Sequence, residues 1–273
     1  MEELAGTRAL VTGASRGVGA SIALALAEAG ADLALAARST AGAPSKVPGT
    51  LDDVAAAVEQ AGRRAVSIPT DLADEDQVAS MVDTAAAALG GIDIVVNNAA
   101  VAMPGSLDID RKRFDLMMAI NARAPLVITR ETTPHLRQSP HGRILNISSA
   151  AASYAIEGLL GYGMSKLALE HLTVASAKLL EAEGVCVNCF RIDIGTASEG
   201  MTFRNQGAAP DWEPPQVAAE GALWMLAQPR SYTGHLVSMS ALRAATGIMR
   251  TQAIAPTKAP PGIPIFPGLE SSL

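Results

Sequence analysis

The sequence predicts an α/β fold in which a single doubly wound parallel sheet of about seven strands carries helices on both faces. Short apolar runs alternate with longer stretches of helical periodicity, an order that is typical of βαβ units. Because the crossover in such units is right-handed, successive helices are distributed over both faces of the sheet. The composition agrees, since 49% of the 273 residues are hydrophobic and only 3% are aromatic. Many small side chains suit helices that pack closely on a sheet.

The predicted elements follow one another along the chain. We predict strands at residues 9–11, 33–35, 65–68, 92–96, 144–147, 185–190 and 235–237. We predict helices at residues 18–29, 51–61, 75–89, 108–136, 161–183 and 216–227. Residues 39–50 contain two prolines and two glycines and are predicted to form a long loop.

The chain shows no internal repeat and no boundary to a second domain. We therefore predict one domain over residues 1–254 and a proline-rich C-terminal tail over residues 255–273. Five prolines in the tail remove backbone donors and disfavour a helix. The tail is expected to run extended over the surface or over a neighbouring subunit.

Charge and hydropathy narrow the possible partners and compartments. The formal net charge is −6, which argues against nucleic acid and anionic membranes as partners, because both select basic surfaces. The apolar stretch 20–37 is broken by Glu28, Gly30 and Asp32 and does not predict a membrane span. The N-terminus lacks a basic region before the first strand begins near Arg8, so we predict no signal peptide and a cytoplasmic protein.

The two cysteines, Cys186 and Cys189, lie three apart in a predicted strand. Side chains at that spacing point to opposite faces of a sheet, so neither a shared metal nor a disulfide is expected. The four histidines share no element and no ligand spacing. The sequence predicts no metal site.

One helix carries a pair of residues that suits proton transfer. Tyr162 and Lys166 are four residues apart and share one face of a helix. A free tyrosine titrates near pH ~10, but an adjacent ammonium favours the phenolate and lowers the pKa of the tyrosine. A hydroxyl such as that of Ser149 could hold a substrate oxygen while Tyr162 moves its proton. Such an arrangement could interconvert an alcohol and a ketone beside a hydride carrier; alternatively, the pair is two unrelated side chains on a solvated face.

A glycine-rich turn follows the first strand and opens the first helix. Its candidate binding residues are Gly13, Ser15, Arg16, Gly17, Val18 and Gly19. Glycines at such a turn let the backbone approach a pyrophosphate, which then sits at the helix N-terminus. The turn therefore predicts a dinucleotide site, although the spacing is G-x-x-x-G-x-G and not G-x-G-x-x-G.

The end of the second strand indicates which dinucleotide is bound. It reads Ala36-Ala37-Arg38-Ser39, without the acidic residue that holds the ribose 2′-hydroxyl of NAD. Arg38 and Arg16 could instead pair with a 2′-phosphate, so NADP(H) is predicted over NAD(H); alternatively, both arginines are simply solvated. Asp71 and Leu72 follow the third strand, where an acid can accept from the adenine amino group.

The order of these motifs resembles the short-chain dehydrogenase/reductase family (SDR). The resemblance runs through the turn at 12–19, Asp71, Asn97-Asn98-Ala99, Asn121, Ser149, Tyr162 and Lys166. It implies a Rossmann-type fold in which Tyr162 is the general acid/base and Lys166 lowers its pKa and binds the nicotinamide ribose. It also implies that Ser149 polarises the substrate carbonyl and that Asn121 holds a water in a proton relay. Ser148 is the rival of Ser149, but the interval to the tyrosine in the family favours Ser149.

A narrower resemblance and one departure qualify this assignment. Residues 44–50 and 228–234 are similar to the hydroxysteroid-dehydrogenase-like branch, whose substrate range is poorly defined. The segment 190–196 reads Phe-Arg-Ile-Asp-Ile-Gly-Thr, so the family's Pro-Gly is missing. Thr196, the candidate for contacting the nicotinamide amide, stands one place early. Family members are usually homotetramers or homodimers, which implies pairing here through the helices at 108–136 and 161–183.

The substrate end is expected beyond the carboxyl ends of the strands, in segments 101–107, 150–161 and 196–212. The apolar candidates there are Met103, Tyr154, Ile156, Leu159, Met201, Phe203 and Trp212. They predict a pocket for a small apolar carbonyl or alcohol, with residues 196–212 as a lid. The leading hypothesis is an NADP(H)-dependent carbonyl reductase. The alternatives are a 3-oxoacyl-thioester reductase and a non-catalytic dinucleotide sensor.

Overall fold

The fold is built on a seven-stranded sheet in the order β3-β2-β1-β4-β5-β7-β8, with every pairing parallel. We describe it from a computed structural model covering residues 4–209, 211–249 and 263–264. The strands of the sheet are β1 (Arg8–Thr12), β2 (Asp32–Ala37), β3 (Ala65–Pro69), β4 (Ile94–Asn97), β5 (Arg143–Ser149), β7 (Cys186–Ile192) and β8 (Leu236–Ser238), and a separate short strand, β6 (Tyr154–Ala155), follows β5. The predicted α/β class and the parallel sheet are confirmed.

Helices connect the strands and cover both faces of the sheet. They are α1 (Gly17–Glu28), α2 (Leu51–Gln60), α3 (Glu75–Leu89), α4 (Arg111–Met118), α5 (Ala124–Gln138), α6 (Leu160–Leu180), α7 (Glu199–Asn205), α8 (Pro215–Leu226) and α9 (Met239–Thr246). One buried cluster joins α1, α2, α8 and α9 to one face of the sheet. A second joins α3, α5 and the end of α6 to the other face. The two hydrophobic cores therefore hold the sheet rigidly between layers.

The strand order reverses between β1 and β4. From β1 the chain adds β2 and β3 on one side, and from β4 it adds β5, β7 and β8 on the other. In open α/β sheets the crevice at such a switch point, beyond the carboxyl ends of the strands, is where ligands bind. The topology therefore directs the search for a site to the ends of β1, β4 and β5.

The predicted helix at 108–136 is two α-helices joined by a π-helical turn over Ala119–Arg123. Pro125 lies in the first turn of α5 and has no N–H to continue a regular helical ladder. The wider turn accommodates this break, and turns of this kind occur frequently at functional sites. It contains Asn121.

Two helices were absent from the prediction. Both α7 and α9 are short, and each begins after a serine whose hydroxyl accepts a backbone N–H, Ser198 from Met201 and Ser238 from Ala241. Segments of seven and eight residues are too short to show a clear helical periodicity, so the serine caps carry more of the signal than the periodicity does. The loop predicted at 39–50 contains neither helix nor strand apart from one bridge between Thr40 and Ala43.

The end of the chain contributes a two-residue strand, β9 (Ile263–Pro264), that pairs antiparallel with β6. The other residues of the predicted tail at 255–273 lie outside the described residues, and so does the predicted domain boundary at residue 254. Within the described ranges, no helix combines the length and apolarity needed to cross a bilayer. Cys186 and Cys189 are buried free thiols on β7, and the described part of the chain holds no cluster of metal-ligating side chains.

Candidate active site

A cavity of about 870 Å³ opens at the carboxyl ends of the strands. Its size lies within the range of small-molecule and cofactor sites. The predicted residues that line it are Gly13, Ser15, Arg16, Gly17, Val18, Gly19, Arg38, Asp71, Leu72, Asn98, Ser149, Tyr162, Lys166 and Thr196. Residues from distant parts of the sequence therefore converge on one cavity. Of the predicted site residues, Asn121 is the one that does not line it.

The glycine-rich turn forms the floor of one end of the cavity. Gly13 and Gly17 adopt φ values of +67° and +58°, a left-handed conformation that glycine adopts without a steric penalty. At Gly19 a Cβ atom would lie 2.3 Å from both Asn98 Nδ2 and the Gly13 carbonyl oxygen. The turn is therefore compatible only with glycine at this position.

The N-terminus of α1 faces the same space. Its N-cap residue, Arg16, makes no side-chain capping bond, and its first turn contains no acidic residue. Backbone N–H groups at such a terminus, together with the helix dipole, suit a negatively charged group. The glycine cradle and this helix end fit the pyrophosphate of a dinucleotide.

Two arginines stand at the nucleotide end without a carboxylate from β2. Arg38 is exposed at the cavity rim, and Arg16 donates from Nη2 to the Gly49 carbonyl oxygen at 2.7 Å. Burial lowers the pKa of Arg16; Glu199 opposes this shift, and the nearby charge of Arg38 adds to it. The positive charges of Arg16 and Arg38 repel each other, and an anion bound beside them would reduce that repulsion.

Polar residues after β3 and β4 complete the nucleotide end. The Asp71 carboxylate accepts from the Ala73 backbone N–H at 3.1 Å. Asn98 donates from Nδ2 to the Thr12 carbonyl oxygen at 2.9 Å, and Asn97 donates to Asn146 Oδ1 at 2.9 Å. The two asparagines therefore join neighbouring strands, and Asn98 also fixes the glycine turn.

Tyr162 and Ser149 meet at the other end of the cavity. Ser149 ends β5, and its hydroxyl forms a hydrogen bond with the phenol of Tyr162 that lowers the pKa of the tyrosine. The neighbouring Ser148 also lines the cavity, but its hydroxyl donates to Glu170 Oε1 at 2.7 Å. Because the hydroxyl of Ser149 meets Tyr162 and that of Ser148 is bound to Glu170, the contacts favour Ser149 over Ser148 as the serine of the site.

The expected effect of Lys166 on Tyr162 requires a correction. Its Nζ lies 5.9 Å from the centroid of the Tyr162 ring and donates to the Ile147 carbonyl oxygen at 2.7 Å. The pKa of Tyr162 is raised, because burial outweighs the lowering contributions of Ser149 and Arg204. The spacing of Tyr162 and Lys166 in the sequence predicts the nearby ammonium but not the burial of the phenol.

Lys166 itself is almost completely buried, with 2% of its surface exposed. Burial lowers its pKa from 10.5 to about 8, and electrostatic interactions with Cys189 and Glu170 oppose that shift. Its charge is therefore sensitive to pH near neutrality, which an exposed lysine would not show.

Asn121 stands in the π-helical turn and is fully buried. Its Oδ1 accepts from the Val101 N–H at 2.8 Å, and its Nδ2 donates to the Val101 carbonyl oxygen at 2.8 Å and to Ser165 Oγ at 2.9 Å. These bonds join the loop after β4 to α6, one residue before Lys166. The side chain therefore ties together two walls of the cavity.

Thr196 lines the cavity, but its hydroxyl donates locally to the Ile194 carbonyl oxygen at 3.1 Å. Two residues later, Ser198 caps α7 and lies directly over the glycine turn, with its Cβ 3.0 Å from the position that a Cβ on Gly17 would take. Ser198 was missed, although a serine before an acidic residue is a recognisable N-cap signal.

At the substrate end, Ile156, Leu159 and Met201 line the cavity as predicted. The predicted residues Met103, Tyr154, Phe203 and Trp212 do not line it; Phe203 is 56% exposed. Trp212 packs instead against Gly195, a position where a Cβ would lie 2.4 Å from the indole Cδ1. Arg204 also lines this end, so the pocket holds a cation that the sequence analysis did not predict.

Comparison with known proteins gives consistent matches. Residues 7–202 match the family model described as short chain dehydrogenase. Hydroxysteroid dehydrogenase-like protein 2 of Xenopus tropicalis is 33% identical over 270 residues, which cover 97% of this chain and 63% of that protein. The chain thus spans about 63% of the length of this curated relative.

Two similar solved structures contain different dinucleotides. A short chain dehydrogenase from Burkholderia cenocepacia J2315 in complex with NADP has a TM-score of 0.74 and 33% identity, covering 86% of this chain and 97% of the other. A short chain dehydrogenase from Mycobacterium paratuberculosis bound to NAD also has a TM-score of 0.74, with 28% identity and the same coverage.

Proposed function

Because this chain belongs to the short-chain dehydrogenase/reductase family, near the hydroxysteroid-dehydrogenase-like branch, we propose that it reversibly reduces a ketone or aldehyde to an alcohol with NADP(H). The observation that carries the proposal is the convergence of Ser149, Tyr162 and Lys166 with the glycine-rich turn on a single cavity. Separate segments of the chain supply a dinucleotide cradle and a proton-transfer group at opposite ends of that space.

The proposed roles follow from the positions of the side chains. A bound nicotinamide dinucleotide would supply or accept the hydride. In the reductive direction, the Ser149 hydroxyl holds the substrate carbonyl oxygen, and Tyr162 donates its phenolic proton to that oxygen. Lys166, held by the Ile147 carbonyl oxygen, supplies positive charge near the developing phenolate. Asn121 keeps the loop after β4 and helix α6 at a fixed separation.

Residues at the other end would hold the dinucleotide. Gly13, Gly17 and Gly19 with the N-terminus of α1 would receive the pyrophosphate, and Asp71 and Leu72 would border the adenine. Arg16 and Arg38 favour a 2′-phosphate, because the cavity offers two cations there and β2 ends without an acid. We therefore propose NADP(H) as the preferred cofactor, with Thr196 or Ser198 contacting the nicotinamide amide.

Substitution of Tyr162 by phenylalanine tests the catalytic proposal. Tyr162→Phe removes the proton donor but preserves the ring, so we expect ketone reduction to slow by about 10²–10⁴-fold. NADPH binding, followed through quenching of the two tryptophans, should stay within about twofold. Wild-type protein that binds NADPH but reduces no carbonyl compound in a broad panel would instead indicate a dinucleotide sensor.

The cofactor preference is tested at Arg38. Arg38→Ala should weaken NADPH binding by about tenfold, the magnitude of one charge-assisted hydrogen bond at an exposed position. NADH binding should not change, because NADH lacks the 2′-phosphate. Arg111, an exposed arginine on α4 outside the cavity lining, provides the matched control through Arg111→Ala. Equal losses for NADPH and NADH would contradict the preference.

We propose a small aliphatic or cyclic ketone as the substrate class. Ile156, Leu159 and Met201 offer apolar contacts at the substrate end, and these stabilise an apolar substrate in proportion to the area buried. Arg204 also lines this end, but it is exposed and its charge is screened by water. Such ketones should therefore be reduced faster than a charged sugar acid of similar size. The reverse order in a substrate panel would refute the apolar pocket.

We also propose a cytoplasmic homotetramer or homodimer. Leu126 on α5 and Met164, Val174 and Leu179 on α6 are between 46% and 76% exposed, and large exposed apolar side chains on neighbouring helices favour association. Light scattering after size-exclusion chromatography tests the prediction. A monomer at micromolar concentration would contradict it.

A further inference from the structure

A buried ion pair that the proposed reaction does not use lies directly behind the catalytic end of the cavity. Glu170 on α6 and Arg191 on β7 are 1% and 3% exposed. Arg191 donates from Nε to Glu170 Oε1 at 2.9 Å and from Nη2 to Oε2 at 2.7 Å. This fork geometry fixes the carboxylate in one orientation.

The same carboxylate reaches the strand that carries Ser149. Ser148 donates to Glu170 Oε1 at 2.7 Å, and Ser148 is the direct partner of Arg191 in the pairing of β5 with β7. The contact therefore joins α6, β5 and β7 at one point. Its neighbours on β5 are Ile147, whose carbonyl oxygen accepts from Lys166, and Ser149, which contacts Tyr162.

Glu170 also lies one helical turn after Lys166 on α6, so the two side chains share a face. The titratable groups around Lys166 are Tyr162 and Glu170 from α6 and Cys189 from β7, two residues before Arg191. From β5, the Ile147 carbonyl oxygen accepts from Lys166. The carboxylate favours the charged form of Lys166.

Stability alone does not explain a charged pair in this place. Desolvation of two ions offsets most of their attraction, and apolar residues of similar size often serve a core equally well. The charge pair does provide a fixed hydrogen-bond acceptor for Ser148, which is adjacent to Ser149 on β5. It also provides a fixed anion one helical turn from Lys166 on α6.

We infer that Glu170, held by Arg191, is a positioning residue for the reaction: it fixes the end of β5 through Ser148 and maintains the charge of Lys166. The inference rests on the proposed function. Glu170 does not line the cavity, but in this role it keeps Ser149, Tyr162 and Lys166 correctly placed relative to one another.

The test is Glu170→Gln, which preserves the size of the side chain and an acceptor for Ser148 but removes the charge. We expect kcat for ketone reduction to fall by about ten- to a hundredfold, a magnitude typical of small misplacement in an active site. The KM for NADPH should stay within about threefold. The rate should fall at alkaline pH as Lys166 loses its charge, and this alkaline limb of the pH–rate profile should move down by about one pH unit, because the anion beside Lys166 is lost.

A second variant keeps the inference testable if Glu170→Gln does not fold. Ser148→Ala removes only the hydroxyl that links β5 to the carboxylate. It should lower kcat by about tenfold and leave the alkaline limb in place, since no charge changes. If Glu170 had a purely structural role, the two variants would not differ in this way, with the alkaline limb moved in Glu170→Gln and unmoved in Ser148→Ala.

The chain offers a matched control at the opposite end of the sheet. Asp93 is 4% exposed and accepts from Arg8 Nε at 2.7 Å and Ser139 Oγ at 2.6 Å, which is the same carboxylate, arginine and serine arrangement. Asp93→Asn should lower the unfolding temperature without moving the pH profile.

Two results would overturn the inference. In one, Glu170→Gln and Ser148→Ala both retain the wild-type kcat and alkaline limb. In the other, Asp93→Asn reproduces the losses of Glu170→Gln. The proposed function fails separately, if the wild-type protein has no turnover or Tyr162→Phe retains it.

Discussion

The rate of ketone reduction should fall at mildly alkaline pH, because Lys166 loses its positive charge there. The pKa of this buried lysine is lowered from 10.5 to about 8. The difference corresponds to ~3 kcal/mol of preference for the neutral form relative to a lysine in water. The ammonium exists below this pKa and is lost as the pH rises through it, so roughly 90% of the side chain is charged at pH 7 and about 10% at pH 9.

The reductive direction isolates this effect. Its proton donor, Tyr162, has a raised pKa and stays protonated across the same range, so the phenol does not titrate where the lysine does. We therefore expect kcat/KM for reduction to be level between pH 6 and about 7.5 and then to fall by about tenfold per pH unit. Nicotinamide absorbance at saturating NADPH measures the rate at each pH.

The controls distinguish Lys166 from general effects of alkaline solution. Lys166→Met should be slow at every pH and should lack the limb near pH 8. Lys178 is on the same helix but 84% exposed, so Lys178→Met should reproduce the wild-type profile. A wild-type rate that stays level to pH 10, or the same limb in Lys166→Met, would refute the assignment of the limb to this lysine.

Three further outcomes follow from the geometry. Gly19→Ala should abolish NADPH binding, because its Cβ would collide with Asn98 and the Gly13 carbonyl oxygen, whereas Gly42→Ala, where no atom lies within 4 Å, should bind normally in the same fluorescence titration. Ser198→Ala should remove the cap of α7 and lower cofactor affinity by a factor of about five, from a typical capping energy of ~1 kcal/mol, and isothermal titration that shows unchanged affinity would contradict this. Leu179→Glu should shift the oligomer toward monomer in light scattering while the unfolding temperature of the protomer stays nearly constant, since this side chain is 76% exposed.

The sheet and the nucleotide end could be predicted from the sequence because short-range patterns determine them. Each apolar run corresponds to a strand of the parallel sheet, and the glycine turn follows β1 immediately. Since the carboxyl ends of parallel strands share one edge, residues directly after a strand must meet there. Arg38, Asp71 and Asn98 line the cavity for this reason.

The substrate end was predicted less well, because its residues lie on long connections whose path no local pattern determines. Phe203 and Arg204 are neighbours on α7, yet only Arg204 lines the cavity. That choice depends on the rotation of a seven-residue helix, which is too short to show a periodicity. The cap at Ser198 was the signal available for its start.

The raised pKa of Tyr162 and the lowered pKa of Lys166 have one physical cause, the withdrawal of both groups from water. Burial opposes the charged form of each residue, so it disfavours both the phenolate of Tyr162 and the ammonium of Lys166. Burial also strengthens every charge that remains, because water no longer screens it. A buried anion such as Glu170 then influences the pair over a longer range than it would at the surface. The chemistry of the Tyr162 and Lys166 pair is therefore governed as much by the charges behind and above it as by the four-residue spacing in the sequence.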